Sequence, residues 1–202
     1  LKNRCHQCRK PLPETDKEKI EQLREWVGKG EMWAQYMMAQ WYYHGKNGLK
    51  QSYVMAAMLF EKAVAQGNPG AMYDLATMYE SGLGVEQSDE KTVELYTMAA
   101  EQGDVKAMYN LGCLYGDGRG VEQSDENAVE LYSMAAERGY VKAMFNLGNG
   151  YRDGKGVVQS FKKSAELLTM AAEQGHVDAM SNLGLLYIQS KGVGLGVARS
   201  NE

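Results

Sequence analysis

Apolar residues recur along this chain in two alternating helical patterns. Ala107, Leu111 and Tyr115 fall four residues apart, with Met108 and Gly112 beside them. At about 100° per residue, these five positions share one face of a helix. Further along, Ala128, Leu131, Tyr132 and Ala135 follow i, i+3, i+4, i+7 spacing, as do Thr92, Leu95, Tyr96 and Ala99 one unit earlier. That spacing predicts a second amphipathic helix. Gly118 with Gly120, Gly82 with Gly84, and Gly154 with Gly156 end the first helix and turn the chain. Ser88-Asp89, Ser124-Asp125 and Ser160 are natural N-caps for the second, and Gly103, Gly139 and Gly175 close it.

This two-helix pattern repeats every 36 residues. Ala71–Lys106 and Ala107–Lys142 agree at 24 of 36 positions, and Ala143–Asp178 agrees with the latter at 20 of 36. A divergent copy begins at Ala34 with one extra residue between Gly45 and Gly48, and a partial copy starts at Ala179. Upstream, Thr15-x-x-Glu18 has the form of a capping box, and Ile20, Leu23, Trp26 and Val27 form a stripe, so Thr15–Lys29 reads as another second-type helix. A pair this short cannot bury its apolar face alone, so the units are expected to stack into a solenoid. The predicted units lie near 34–70, 71–106, 107–142 and 143–178, with a partial one at 179–194, inside a repeat region of 14–194. Residues 195–202 are expected to form a disordered tail. Without a second helix, Leu183, Leu186 and Tyr187 would lack a covering surface, so the last unit is expected to fray or to be covered by another chain.

The signature A-x3-L-G-x2-Y-x2-G-x-G-V (Ala107, Leu111, Gly112, Tyr115, Gly118, Gly120, Val121), followed by A-A-x2-G (Ala135, Ala136, Gly139), resembles the Sel1-like repeat family. The resemblance implies an all-α, right-handed α-solenoid of antiparallel helix pairs, related to tetratricopeptide repeats, that holds partner proteins together. It departs from the pattern at Gly45-Lys-Asn-Gly48 and at Ser190.

The 202 residues include 3 prolines but 23 glycines, which the helix junctions explain. A net charge of −4 argues against nucleic acid as the main partner, because phosphate binding needs a basic face. No stretch approaches 18 apolar residues, so no membrane span is expected. The chain starts at Leu1 rather than Met and shows no signal-peptide pattern; a longer, cytoplasmic protein is the expectation. Cys5-His-Gln-Cys8 has the C-x2-C form of half a tetrahedral zinc knuckle, the alternative being an incidental cysteine pair. With Arg9-Lys-Pro-Leu-Pro13 it resembles the last cysteine pair and exit of a RING finger, confined to residues 1–13. That resemblance implies an alternative function, the substrate-binding part of a RING-type ubiquitin ligase with a ubiquitin-conjugating enzyme as a further partner. Cys5 and Cys8 would hold zinc only with an upstream finger present. The repeats themselves call for no cofactor.

No catalytic residue is expected. His6, His44 and His176 lie in different units without an acid or nucleophile at fixed spacing. His176 shares a loop position with Asp104 and Tyr140 and reads as solvated. Cys113, in the column of Thr77 and Asn149, reads as a tolerant surface position. Repetition in register makes Met72, Met108, Met144, Met180, Met98, Met134 and Met170 packing residues. Opposite the packed stripe of the first helix stand Tyr73, Asp74, Thr77; Tyr109, Asn110, Cys113; Phe145, Asn146, Asn149; and Ser181, Asn182. In the family it resembles, first-type helices line the concave surface, which makes these residues candidates for binding a partner protein or peptide. Aromatic rings would anchor it and amides would bond its backbone. The alternative is that Tyr73, Tyr109 and Phe145 pack between repeats.

Overall fold

The computed structural model describes residues 15–192, with side chains to residue 188. These residues form ten α-helices and no strand. The second-type helices are α1 (Asp16–Gly28), α3 (Tyr53–Val64), α5 (Asp89–Glu101), α7 (Asp125–Glu137) and α9 (Phe161–Glu173). The first-type helices are α2 (Met32–His44), α4 (Pro69–Ser81), α6 (Val105–Asp117), α8 (Val141–Asp153) and α10 (Val177–Gly192). They belong to two compact units, the first ending at Leu95 and the second beginning at Tyr96. In the first unit α1 packs on α2, α2 on α3 and α3 on α4. In the second, each of α6 to α10 packs on the next.

Local chemistry sets the boundaries. Thr15 and Glu18 complete the predicted capping box, and Ser52, Ser124 and Ser160 cap their helices through side-chain oxygens. Gly45, Gly82, Gly118 and Gly154 end the first-type helices in the left-handed conformation. Gly112 and Gly156 meet a different need. A Cβ on Gly112 would lie 2.7 Å from the Tyr132 ring, and one on Gly156 would collide with the Asp125 backbone. The first lets α6 and α7 approach; the second seats the turn after α8 on the start of α7.

Met72, Met108 and Met144 are 1–3% exposed and serve the core as expected. Met170 and Met180 do not, at 46% and 52% exposed. In the last repeat α10 continues through Ser190 to Gly192, and Leu186, expected to lack a covering surface, is buried where α10 packs on α9. Leu183 is half-buried and Tyr187 exposed. Nothing lies within 4 Å of a Cβ built on Gly184, which occupies the column of Gly112. Among the described residues one buried polar atom, Ser164 Oγ, has no hydrogen-bond partner; its counterpart Thr92 donates to the Ser88 carbonyl at 2.7 Å.

Candidate functional site

In the first unit, Tyr73, Asp74 and Thr77 are half-buried on α4. Gln40 of α2 reaches across, donating from Nε2 to the Asp74 carboxylate and to the Tyr36 hydroxyl oxygen at 3.3 Å. Thr77 donates to the Asp74 carbonyl at 2.7 Å. Gln40 and Tyr36 occupy the columns of Thr77 and Tyr73 in the divergent first repeat. The extra residue near Gly45 shifts the register by one there, so these columns fall 37 rather than 36 residues before Thr77 and Tyr73.

The second unit carries the same columns further. Asn110 Nδ2 donates to the Tyr96 hydroxyl at 3.0 Å. Asn146 interacts with the hydroxyls of Tyr109 and Tyr132, and Tyr132 donates to Cys113 Sγ at 3.4 Å. Asn182 Nδ2 donates to Asn149 Oδ1 at 2.8 Å. A simple rule connects these pairs. Where the preceding second-type helix offers a tyrosine hydroxyl (Tyr96, Tyr132), the amide on the next first-type helix takes it. Where that column holds Phe60 or Leu168, the polar residue pairs with Gln40 or Asn149 on the preceding first-type helix instead. Within each unit, a polar seam thus joins successive repeats.

Aromatic rings fill the same seam. Tyr109 lies 5.8 Å from the Tyr132 ring and 5.2 Å from that of Tyr140. Phe145 stacks on His176 at 4.5 Å between centroids. Burial, then the hydrogen bond and charge of the Cys113 thiol, push the Tyr132 hydroxyl far above its ordinary range. Burial and Cys113 push Tyr109 up to about 12, and burial raises Tyr140 as well.

Two expectations are corrected here. Cys113 is not a surface residue: it is half-buried and accepts from Tyr132. His176 is not simply solvated, since it stacks on Phe145 and its Nδ1 accepts from Ala179 N at 3.3 Å at the start of α10. Its column is the N-cap column, where Asn68 and Asp104 do the same for α4 and α6. Cys5 and Cys8 lie outside the described residues. Among the described residues no group of three or more His, Cys, Asp or Glu side chains could hold a metal ion.

Asn146 and Asn149 also line a cavity of about 340 Å³, together with Gly116, Val129, Tyr132 and Gly150. Charged residues surround it: Asp117, Asp125, Lys155, and Arg152 paired with Asp153. The Arg152 guanidinium contacts both Asp153 oxygens, at 2.8 and 2.9 Å, and holds that carboxyl below its ordinary range. The cavity's lining presents amides, a phenol, a small apolar floor and a charged lip.

A family model described as Sel1 repeat matches residues 34–68, 69–104, 105–140, 141–176 and 177–202. No curated protein matches the chain. Among solved structures, the chain is similar to a Sel1 repeat protein from Oxalobacter formigenes, at 28% identity and a TM-score of 0.79. That match covers 85% of this chain and 70% of the other. It is also similar to a protective antigen of uropathogenic Escherichia coli strains that displays an SLR fold, at 26% identity and a TM-score of 0.54. There it covers 91% of this chain but only 46% of the antigen. A putative Sel1 repeat protein from Klebsiella pneumoniae shares the fold at 20% identity and a TM-score of 0.52, covering 85% of each chain. Among the described residues, no helix is long and apolar enough to cross a membrane.

Proposed function

Since the chain belongs to the Sel1 repeat family, we propose that it is a protein-interaction scaffold that binds a partner protein or peptide on the face formed by its first-type helices. The observation that carries this reading is the setting of Asn146 and Asn149. Both amides line an open cavity ringed by charge, in columns that elsewhere tie one repeat to the next. Asn149 receives Asn182 through Oδ1. An amide also has two Nδ2 hydrogens to give, a geometry suited to a peptide carbonyl. Half-buried tyrosines beside such amides supply rigid contact area at little entropic cost.

The reading is tested by capturing a partner and measuring its affinity. The double substitution Asn146→Ala/Asn149→Ala is expected to weaken binding at least tenfold. The pair Glu126→Ala/Glu130→Ala, on the exposed side of α7, is expected to leave it unchanged, with thermal unfolding followed for both. Full affinity in the asparagine variant would refute the proposed face.

A further inference from the structure

The cavity between α6, α7 and α8 arises at a position that the repeat otherwise fills. Gly150 stands in the same column as Met78, Leu114 and Leu186, which lie at multiples of 36 residues from it. Those three side chains are buried, at 0%, 2% and 2% exposed. In the divergent first repeat the column holds Trp41. Gly150 is therefore the one position in that column without a side chain. Gly116, across the cavity, stands in the column of Glu80 and Arg152, so a second lining position is bare too.

Gly150 lines the cavity and has room for a Cβ. A Cβ built there would meet Lys155 O and Val129 Cγ2 at 3.5 Å each, ordinary contact distances with no clash. This is the reverse of Gly112, where close helix packing requires a glycine. Nor does Gly150 have a positive φ that would exclude other residues. A glycine inside a helix is disfavoured relative to alanine, and a vacancy in a packed column is disfavoured further. Packing and backbone geometry thus give no reason for a glycine here.

We infer that this vacancy receives one apolar side chain, of leucine or methionine size, from a partner peptide. The occupant is defined by the column: a side chain like Leu114 or Met78 fills the equivalent space from within the protein. Ala128 and Val129 supply the apolar floor. The Asn146 and Asn149 amides line the same cavity and would offer polar groups to the backbone of the inserted residue. The lip carries both signs of charge, so the recognised segment is an apolar anchor in a polar context rather than a strongly charged tail. This rests on the scaffold reading and gives it a specific contact.

The test uses the full chain and two blocked amino acids, N-acetyl-leucine methylamide and N-acetyl-glycine methylamide, titrated against isotope-labelled protein by NMR. The leucine compound is expected to give saturable shifts at the Gly116 and Gly150 amides and at the Asn149 side chain, and the glycine compound none. Gly150→Leu is expected to fill the site from within, raising Tm by roughly 5 °C while abolishing those shifts. Gly150→Ala, which adds only a Cβ at ordinary contact distance, should keep the fold and weaken leucine binding several-fold. Absence of leucine-specific shifts in the wild type overturns the inference, as does undiminished binding or a lowered Tm in Gly150→Leu. If the pocket fails while partner affinity still depends on Asn146 and Asn149, the pocket falls and the scaffold reading stands.

Discussion

Tyr132 shows how one side chain can serve three contacts. Its ring fills the notch over Gly112, its hydroxyl donates to Cys113, and Asn146 of the next repeat meets the same hydroxyl. Burial disfavours the phenolate, so Tyr132 and Tyr109 hold their protons to higher pH when folded than when unfolded. The sign of the pH dependence follows: both contribute stability at neutral pH that is lost as pH rises. The loss begins near 10, where the unfolded chain ionises, and runs to about 12 for Tyr109. Alkaline denaturation should steepen across that window, and Tyr109→Phe should flatten it. Tyrosinate absorbance during the titration checks this; ionisation of all tyrosines near pH 10 without unfolding would contradict it. The hydrophobic stripe places Tyr132 on the packed side of α7. Its bond to Cys113 was not legible, because that depends on which rotamers meet across two helices.

At the level of the helix, two glycines of one column have opposite consequences. Gly112 lies against Tyr132 and the Ala128 carbonyl, whereas Gly184 faces open space. Gly112→Ala should therefore destabilise by about 1–3 kcal/mol through overpacking. Gly184→Ala should stabilise α10 by up to about 1 kcal/mol, because propensity is gained and nothing is displaced. Urea denaturation of both variants checks the pair, and equal effects would show that the column is not read by packing. By spacing alone the two glycines are equivalent. That only one of them has a close helix contact depends on the helix packed against it. The same holds for the amides: Asn110 and Asn182 look equivalent in the sequence, yet one bonds a tyrosine and the other an asparagine, because Tyr96 and Leu168 differ in a hydroxyl.

For the chain as a whole, the 36-residue register made the helix order and the junction glycines legible before any coordinates. Each unit repeats the same local choices of cap, stripe and turn, and consistent local choices specify a fold. The candidate face was legible as a set of columns but not as a site. A column shows that Gly150 lacks the side chain of Leu114; only the arrangement of α6, α7 and α8 shows that the space stays open. A partner is expected to lie on the first-type helices at this opening. A photo-reactive residue placed at Asn149, and in a separate variant at Glu130 on the exposed side of α7, tests it most directly. Cross-linking of the captured partner from position 149 and not from 130 is the predicted result. Cross-linking from 130 alone, or equally from both, would contradict it.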